Sequence, residues 1–202
     1  MSIKKIYKEQ PNIFEFNSEN LLAAKKIIKS YPEGKQQSAV MAFLYIAQRQ
    51  NDNWIPLSAI KYIAKFLEMP YIKVYEVATF YSMYYLAPVG KYYIQVCTTT
   101  PCMIRGAYQL VEACKKKISE KENELSKDKN CSWTEVECLG ACVNAPMAQI
   151  NEDYYEDLDE KKIEKIINQI LKGEKPKPGS YRGRTNSEPE NNRKTLIDIR
   201  NA

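Results

Sequence analysis

Apolar positions recur at helical spacing through the first 85 residues. Leu21, Leu22, Ala24, Ile27, Ile28 and Tyr31 form one stripe, with Asn17 or Ser18 as its cap and Pro32-Glu33-Gly34 as its stop. Val40, Phe43, Leu44 and Ala47 form a second stripe, ending at the polar residues before Trp54. Ser58 suits the cap of a third helix carrying Ile60, Ile63, Ala64 and Leu67. Pro70 suits the first turn of a fourth, with Val74, Val77, Ala78 and Tyr81. Short links between four amphipathic helices predict a small helical bundle over 18–87, behind an N-terminal extension of residues 1–17.

The period changes at Pro88-Val89-Gly90. Lys91–Cys97 is β-branched and aromatic and predicts a strand, residues 103–118 predict a helix, and the polar run 119–130 predicts a loop. Strands are expected at Cys131–Glu137 and Met147–Asn151, with a turn near Glu152 and Asp153. A final helix follows, in which Ile163, Ile166, Ile167 and Ile170 share a face behind a capping-box-like pair, Asp157 and Glu160. Residues 88–173 therefore read as a small α/β sandwich. The tail, 174–202, is net basic and too poor in apolar residues for a core, so alone it is expected to be extended and mobile, either solvated or docked along a partner.

Composition narrows the chemistry. The chain of 202 residues holds six cysteines and no histidine. Ser-His-Asp and Cys-His catalysis, mixed His/Cys zinc sites and Rieske-type clusters are excluded, and sulfur must dominate any transition-metal site. The net charge of +5 is mild and the arginines are scattered, which argues against nucleic-acid binding. No apolar run approaches the ~20 residues of a membrane span, so no direct membrane insertion is expected. The N-terminus lacks the apolar block of a secretory signal, which points to a reducing compartment, where paired thiols favour metal or redox chemistry.

Four cysteines form two tight pairs at the ends of expected strands: Cys97 and Cys102 (CTTTPC), then Cys138 and Cys142 (CLGAC). Pro101 and the threonines favour a tight loop, while Gly140 and Ala141 let backbone N–H groups approach sulfur. Four thiolates in two pairs match one [2Fe–2S] rhomb, one tetrahedral zinc ion, or a set of buried or disulfide-forming thiols. Arg105 is a candidate for tuning a cluster's charge from an expected helix start. Cys114 and Cys131 read as buried, inert thiols. Trp54, Trp133 and the run 80–85 (FYSMYY) read as core packing, and the acidic stretch 151–160 as a solvated face with a helix cap.

The blocks CTTTPCMIRG (97–106), EVECLGACVNAPMAQINEDYYEDL (135–158) and KPKPG (175–179) carry a resemblance, supported by YEVATFYSMY (75–84) and the segment 47–56. They resemble the thioredoxin-like [2Fe–2S] subunit of respiratory NADH:quinone oxidoreductase, complex I. The resemblance covers about residues 20–180 and departs from the family's pattern in the segment 119–134 and beyond about Asn186. It implies an α+β two-domain chain: a helical bundle, a thioredoxin-like α/β [2Fe–2S] ferredoxin domain, and an extended tail. It also implies Cys97, Cys102, Cys138 and Cys142 as cluster ligands. The implied partners are the flavoprotein that carries FMN and NADH, and other peripheral-arm subunits. The implied place is peripheral, on the cytoplasmic face of a bacterial inner membrane or the matrix side of a mitochondrial one. Related subunits of NAD-linked hydrogenases and formate dehydrogenases are the alternative within the family, and a structural four-cysteine zinc docking module is the alternative outside it.

Overall fold

The computed structural model describes residues 4–189 and 191. Backbone contacts divide the chain into two compact units, Met1–Lys91 and Tyr92–Ala202.

Four α-helices make up the first unit: α1 (Ser18–Ile28), α2 (Val40–Gln50), α3 (Leu57–Phe66) and α4 (Tyr71–Phe80). Asn17 caps α1, its side chain accepting from the Asn20 N–H at 2.8 Å. Gln50 at the end of α2 ties this cap down, since its amide oxygen accepts from Asn17 N–H at 3.0 Å and Asn20 Nδ2 at 2.7 Å. Phe43, Leu44, Ala47, Ile60, Ile63, Val74 and Ala78 are sealed from solvent, as the helical stripes require. Two sequence expectations fail at helix starts. Pro56 and Pro70 occupy the N-cap positions of α3 and α4, so Ser58 lies inside α3, with its buried hydroxyl lacking a hydrogen-bond partner. The extended φ/ψ that suits a cap residue also suits proline, which here starts each helix without a side-chain bond. The aromatic run divides as well: Tyr84 is fully buried, whereas Phe80 is 66% exposed.

The second unit is a five-stranded mixed sheet in the order β2-β1-β3-β4-β5. Its strands are β1 (Tyr92–Cys97), β2 (Cys131–Val136), β3 (Ala148–Ile150), β4 (Asp153–Glu156) and β5 (Gly179–Ser180). β1 runs parallel to β2, with Cys97 opposite Val136, and antiparallel to β3. Parallel neighbours need a crossover, which here includes α5 (Thr100–Ile104), α6 (Ala107–Lys117) and the loop after them. That loop is anchored: Trp133 Nε1 donates to Ser119 O at 2.8 Å, and Asn123 N–H to Trp133 O at 2.8 Å. Leu110, Val111 and Cys114 of α6 share one core with Ile163, Ile166, Ile167 and Ile170 of α7 (Glu160–Leu171), over Ile94, Val96 and Trp133 of the sheet.

Three expectations are corrected here. The helix expected over 103–118 is two helices, because Gly106 takes φ +98°, a left-handed conformation that glycine adopts without strain. The acidic stretch contains β4, with Tyr155 turned into the core and only 2% exposed. Asp159 caps α7, accepting from the Lys162 N–H at 2.9 Å, and Asp157 does something else.

Asp157 is buried and ion-paired with Arg184 of the tail. Arg184 Nε donates to Asp157 Oδ2 at 2.9 Å, Nη2 bonds Oδ1, and the Ser180 hydroxyl donates to Oδ2 at 2.6 Å. The tail is thus laid against its own domain: β5 pairs with β4, and Tyr155 donates its hydroxyl proton to Pro176 O at 3.2 Å. Residues 174–189 of the expected extended tail are therefore held against their own domain; residues 190 and 192–202 lie outside the described residues.

Two outcomes follow from this packing. Ile167→Ala should cost about 2–5 kcal/mol in denaturant unfolding, as a cavity in a closed core, against less than ~0.5 kcal/mol for Ile104→Ala on the surface. A small effect of Ile167→Ala would contradict the packing of α7. Burial raises the Asp157 pKa, but hydrogen bonds from Arg184 and Ser180 outweigh it and hold the carboxyl below its ordinary range. Its stabilisation is present above the unfolded Asp value of about 4 and disappears as pH falls through the lower folded value. Asp157→Asn should melt below the natural protein at pH 7, and the gap should narrow as pH falls below the unfolded Asp value of about 4. Parallel melting curves across that range would count against the pairing.

Candidate metal centre

Cys97 ends β1, and Cys138 lies two residues beyond the end of β2. Because the two strands are parallel neighbours, both loops leave the same edge of the sheet. Thr98 N–H donates to Val136 O at 3.3 Å, joining the two exits.

The first loop turns back at Thr99. Its carbonyl accepts from the N–H groups of Cys102 and Met103, which starts α5 and brings Cys102 beside Cys97. Both thiols are buried among Ala107, Ala145 and Met147. The second loop turns at Gly140, at φ +83°, where a side chain would be strained. That turn aims the Gly140 N–H at Cys138 Sγ, 3.4 Å away. Cys142 then opens a single 3-10 turn, Cys142–Asn144, and its sulfur stands 3.6 Å from that of Cys138. Tyr154 of β4 braces this loop, donating its hydroxyl proton to Leu139 O at 2.8 Å. The Ala145–Pro146 bond that leads back to β3 is cis.

The electrostatics distinguish one thiol of each pair from the other. Burial opposes ionisation of Cys97, but hydrogen bonds from Thr99, the backbone and Cys102 outweigh it and lower its pKa. Burial and then Cys97 push Cys102 up to about 12. The Gly140 N–H, with Cys142 and Thr99, lowers Cys138, and Cys142 is raised as the partner that keeps the proton. Within each pair, therefore, one sulfur ionises more readily than the other, and ligation by all four sulfurs must release protons.

The geometry answers to the chemistry of a sulfur-bound cluster. Two thiolates on one tetrahedral metal at ~2.3 Å stand about 3.5–4 Å apart. The Cys138–Cys142 pair is already at that spacing. Among the described residues no three cysteine or carboxylate side chains are gathered tightly enough to hold a single ion. The remaining cysteines are elsewhere: Cys114 and Cys131 are fully buried in the core between α6, α7 and the sheet. Arg105 does not stand at a helix start; it closes the C-terminal end of α5, exposed, before the break at Gly106.

Residues 24–171 match the thioredoxin-like [2Fe–2S] ferredoxin family. The chain belongs to that family. A [2Fe–2S] cluster is its cofactor, and the two-pair donor set fits it. A relative from Rickettsia typhi, the E-type component of an NADH-quinone oxidoreductase, is 56% identical over 158 residues, covering 78% of this chain and 93% of the relative. Its counterpart from Rickettsia prowazekii is 55% identical over the same length, with 89% of that relative covered. Among solved structures, an NAD+-reducing [NiFe]-hydrogenase in the air-oxidised state superposes with a TM-score of 0.58 over 67% of this chain. Sequence identity there is 20%, and the match takes in 23% of the hydrogenase chain, so this likeness shows the fold alone.

Sequence reasoning did not find Thr99, Tyr154 or Arg184. Thr99 lies inside the motif and could have been weighed as a hydrogen-bond donor to sulfur; the other two become visible only when β4 and the tail are in place.

The thiols should differ in reactivity. In the native metal-free chain, iodoacetamide followed by mass spectrometry should label Cys138 first. Cys114 and Cys131 should need denaturant, since burial pushes Cys114 up to about 12 and raises Cys131. Labelling of Cys131 at the rate of Cys138 would refute the assignment of Cys131 to the core.

Proposed function

We propose that this chain is the electron-transfer subunit of an NADH-quinone oxidoreductase. In this reading Cys97 and Cys102 hold one iron of the cluster, and Cys138 and Cys142 the other. The observation that carries the ligand assignment is the placement of both cysteine pairs at one sheet edge by the parallel pairing of β1 and β2. The observation that carries the complex is identity above half with the Rickettsia oxidoreductase components over 78% of the chain.

When bound, the cluster supplies a reversible one-electron couple. The chain's own residues do the rest. Cys97 and Cys102 anchor the inner side in a packed, apolar setting, while the exposed Cys138 and half-buried Cys142 form the outer side. The Gly140 N–H and the Thr99 hydroxyl point at sulfur and stabilise negative charge there. Beside the ligands in sequence, Met103, Ile104 and Val143 are 44%, 74% and 62% exposed. Apolar side chains on the outer side suit a water-excluding contact with a redox partner. That partner is the flavoprotein carrying FMN and NADH, and the chain's own work is to exchange single electrons with its flavin. No described helix is long and apolar enough to cross a membrane. In this reading the chain sits peripherally in the complex, on the cytoplasmic face of a bacterial inner membrane or the matrix side of a mitochondrial one.

The deciding measurement is iron and acid-labile sulfide on the purified protein, with EPR after reduction. Two irons and two sulfides per chain and an EPR signal are expected. Serine at 97, 102, 138 or 142 should lower the cluster content or change its spectrum, whereas Cys114→Ser and Cys131→Ser should leave both as in the natural protein. A colourless protein with one zinc per chain would overturn the reading.

A further inference from the structure

The tail reaches the loop that carries the outer cysteine pair. Residues 142–144 form one short turn that begins with Cys142, and Asn144 within it is only 2% exposed. Four residues hold this turn from outside. Arg184 Nη2 donates to Val143 O at 3.0 Å. Asn144 Nδ2 donates to Asn186 O at 2.7 Å and to Glu156 Oε2 at 2.7 Å. Asp157 N–H donates to Asn144 O at 2.8 Å. The same guanidinium grips both carboxylate oxygens of Asp157 and donates through Nη1 to Glu188 O at 3.1 Å.

Arg184 is therefore a joint among three segments: the exit of β4 at Asp157, the Cys142 turn, and the tail itself. Its side chain is 9% exposed and that of Asp157 is 0% exposed, so solvent competes little for this ion pair, which fixes the guanidinium whose Nη2 meets the Val143 carbonyl at the surface. The residue bonded directly to Cys142, Val143, has its carbonyl fixed by a group 41 positions away. Cys97 and Cys102 have no such brace from the tail among the hydrogen bonds of the described residues; they are held by packing.

We propose that Arg184 is a positioning residue for the cluster, holding the Cys142 turn through the Val143 carbonyl while Asp157 orients its guanidinium. This rests on the reading that Cys142 is a ligand. Lysine cannot replace it, because an ammonium lacks the planar fork that spans a carboxylate and still reaches a carbonyl on the far side. The consequence is that residues 180–188 are a working part of the metal site, not an appendage to it.

The test compares the full-length natural protein with Arg184→Ala, Arg184→Lys and a charge-loss control, Lys175→Ala, whose ion pair with Asp153 is on the surface. Hydrogen exchange on the metal-free chain reads the turn directly. Losing a charge-assisted bond should speed exchange at the Asn144, Ala145 and Asp157 amides about tenfold in both Arg184 variants. Exchange in α7 should be unchanged. With the cluster loaded, both variants should show displaced EPR g-values and lose iron to a chelator about tenfold faster. Lys175→Ala should match the natural protein in every readout. If the alanine variant unfolds, the lysine variant, which keeps the charge, carries the test. Natural exchange rates and g-values in a folded Arg184→Lys protein would overturn the proposal. A natural protein lacking iron and sulfide would instead overturn the ligand reading on which it rests.

Discussion

Everything at the metal site depends on the parallel pairing of β1 with β2. Paired antiparallel, two adjacent strands would send their C-terminal exits to opposite edges of the sheet, and the two cysteine loops would lie a strand length apart. Paired parallel, with Cys97 in register with Val136, they open at one edge. The cost of that arrangement is a long crossover, which α5, α6 and the anchored loop 118–130 supply. The core beneath it, from Leu110 to the four isoleucines of α7, holds the crossover against the sheet. Stability and chemistry therefore rest on the same contact.

Within that frame the two thiol pairs are unlike. Cys97 and Cys102 lie in an apolar setting whose walls hold them, and burial raises Cys102 far above an ordinary thiol. Cys138 and Cys142 lie on an outer loop, where position must come from hydrogen bonds: Gly140 to sulfur, Tyr154 to Leu139, and the tail to the Cys142 turn. An inner pair held by packing and an outer pair held by directed bonds would give a cluster on these four sulfurs one anchored side and one side open to a partner. That division suits a chain that passes electrons.

The tail shows how far a local reading can mislead. Residues 174–189 are polar, basic and rich in proline and glycine, and by composition they have no core to join. They are ordered by partners that composition does not reveal: the strand β4, beside which β5 adds itself, and one buried carboxylate, Asp157. β4 is itself hidden in an acidic run, where only Tyr155 marks an inward position. By spacing Asp157 reads as half of a capping box, yet Asp159 is as good a cap and stands next to the helix, which leaves Asp157 to pair with Arg184.

What the sequence determined alone is whatever local period and spacing encode. The helical stripes, the strand at 91–97, the isoleucine face of α7, the reduction of metal chemistry to sulfur and the division of six cysteines into two pairs and two core thiols can all be read from neighbours within a few residues. The family resemblance rests on the same short blocks. Tertiary structure alone decided which of several local options won: Asp159 over Asp157 as the cap, proline over Ser58 at α3, a break at Gly106, and the return of the tail to the outer cysteine loop. The physical reason is range. Helix periodicity and thiol spacing are set by bonds a few residues long, whereas the Arg184–Asp157 pair spans 27 positions and the Arg184–Val143 bond spans 41, and neither has any signature until the sheet has formed.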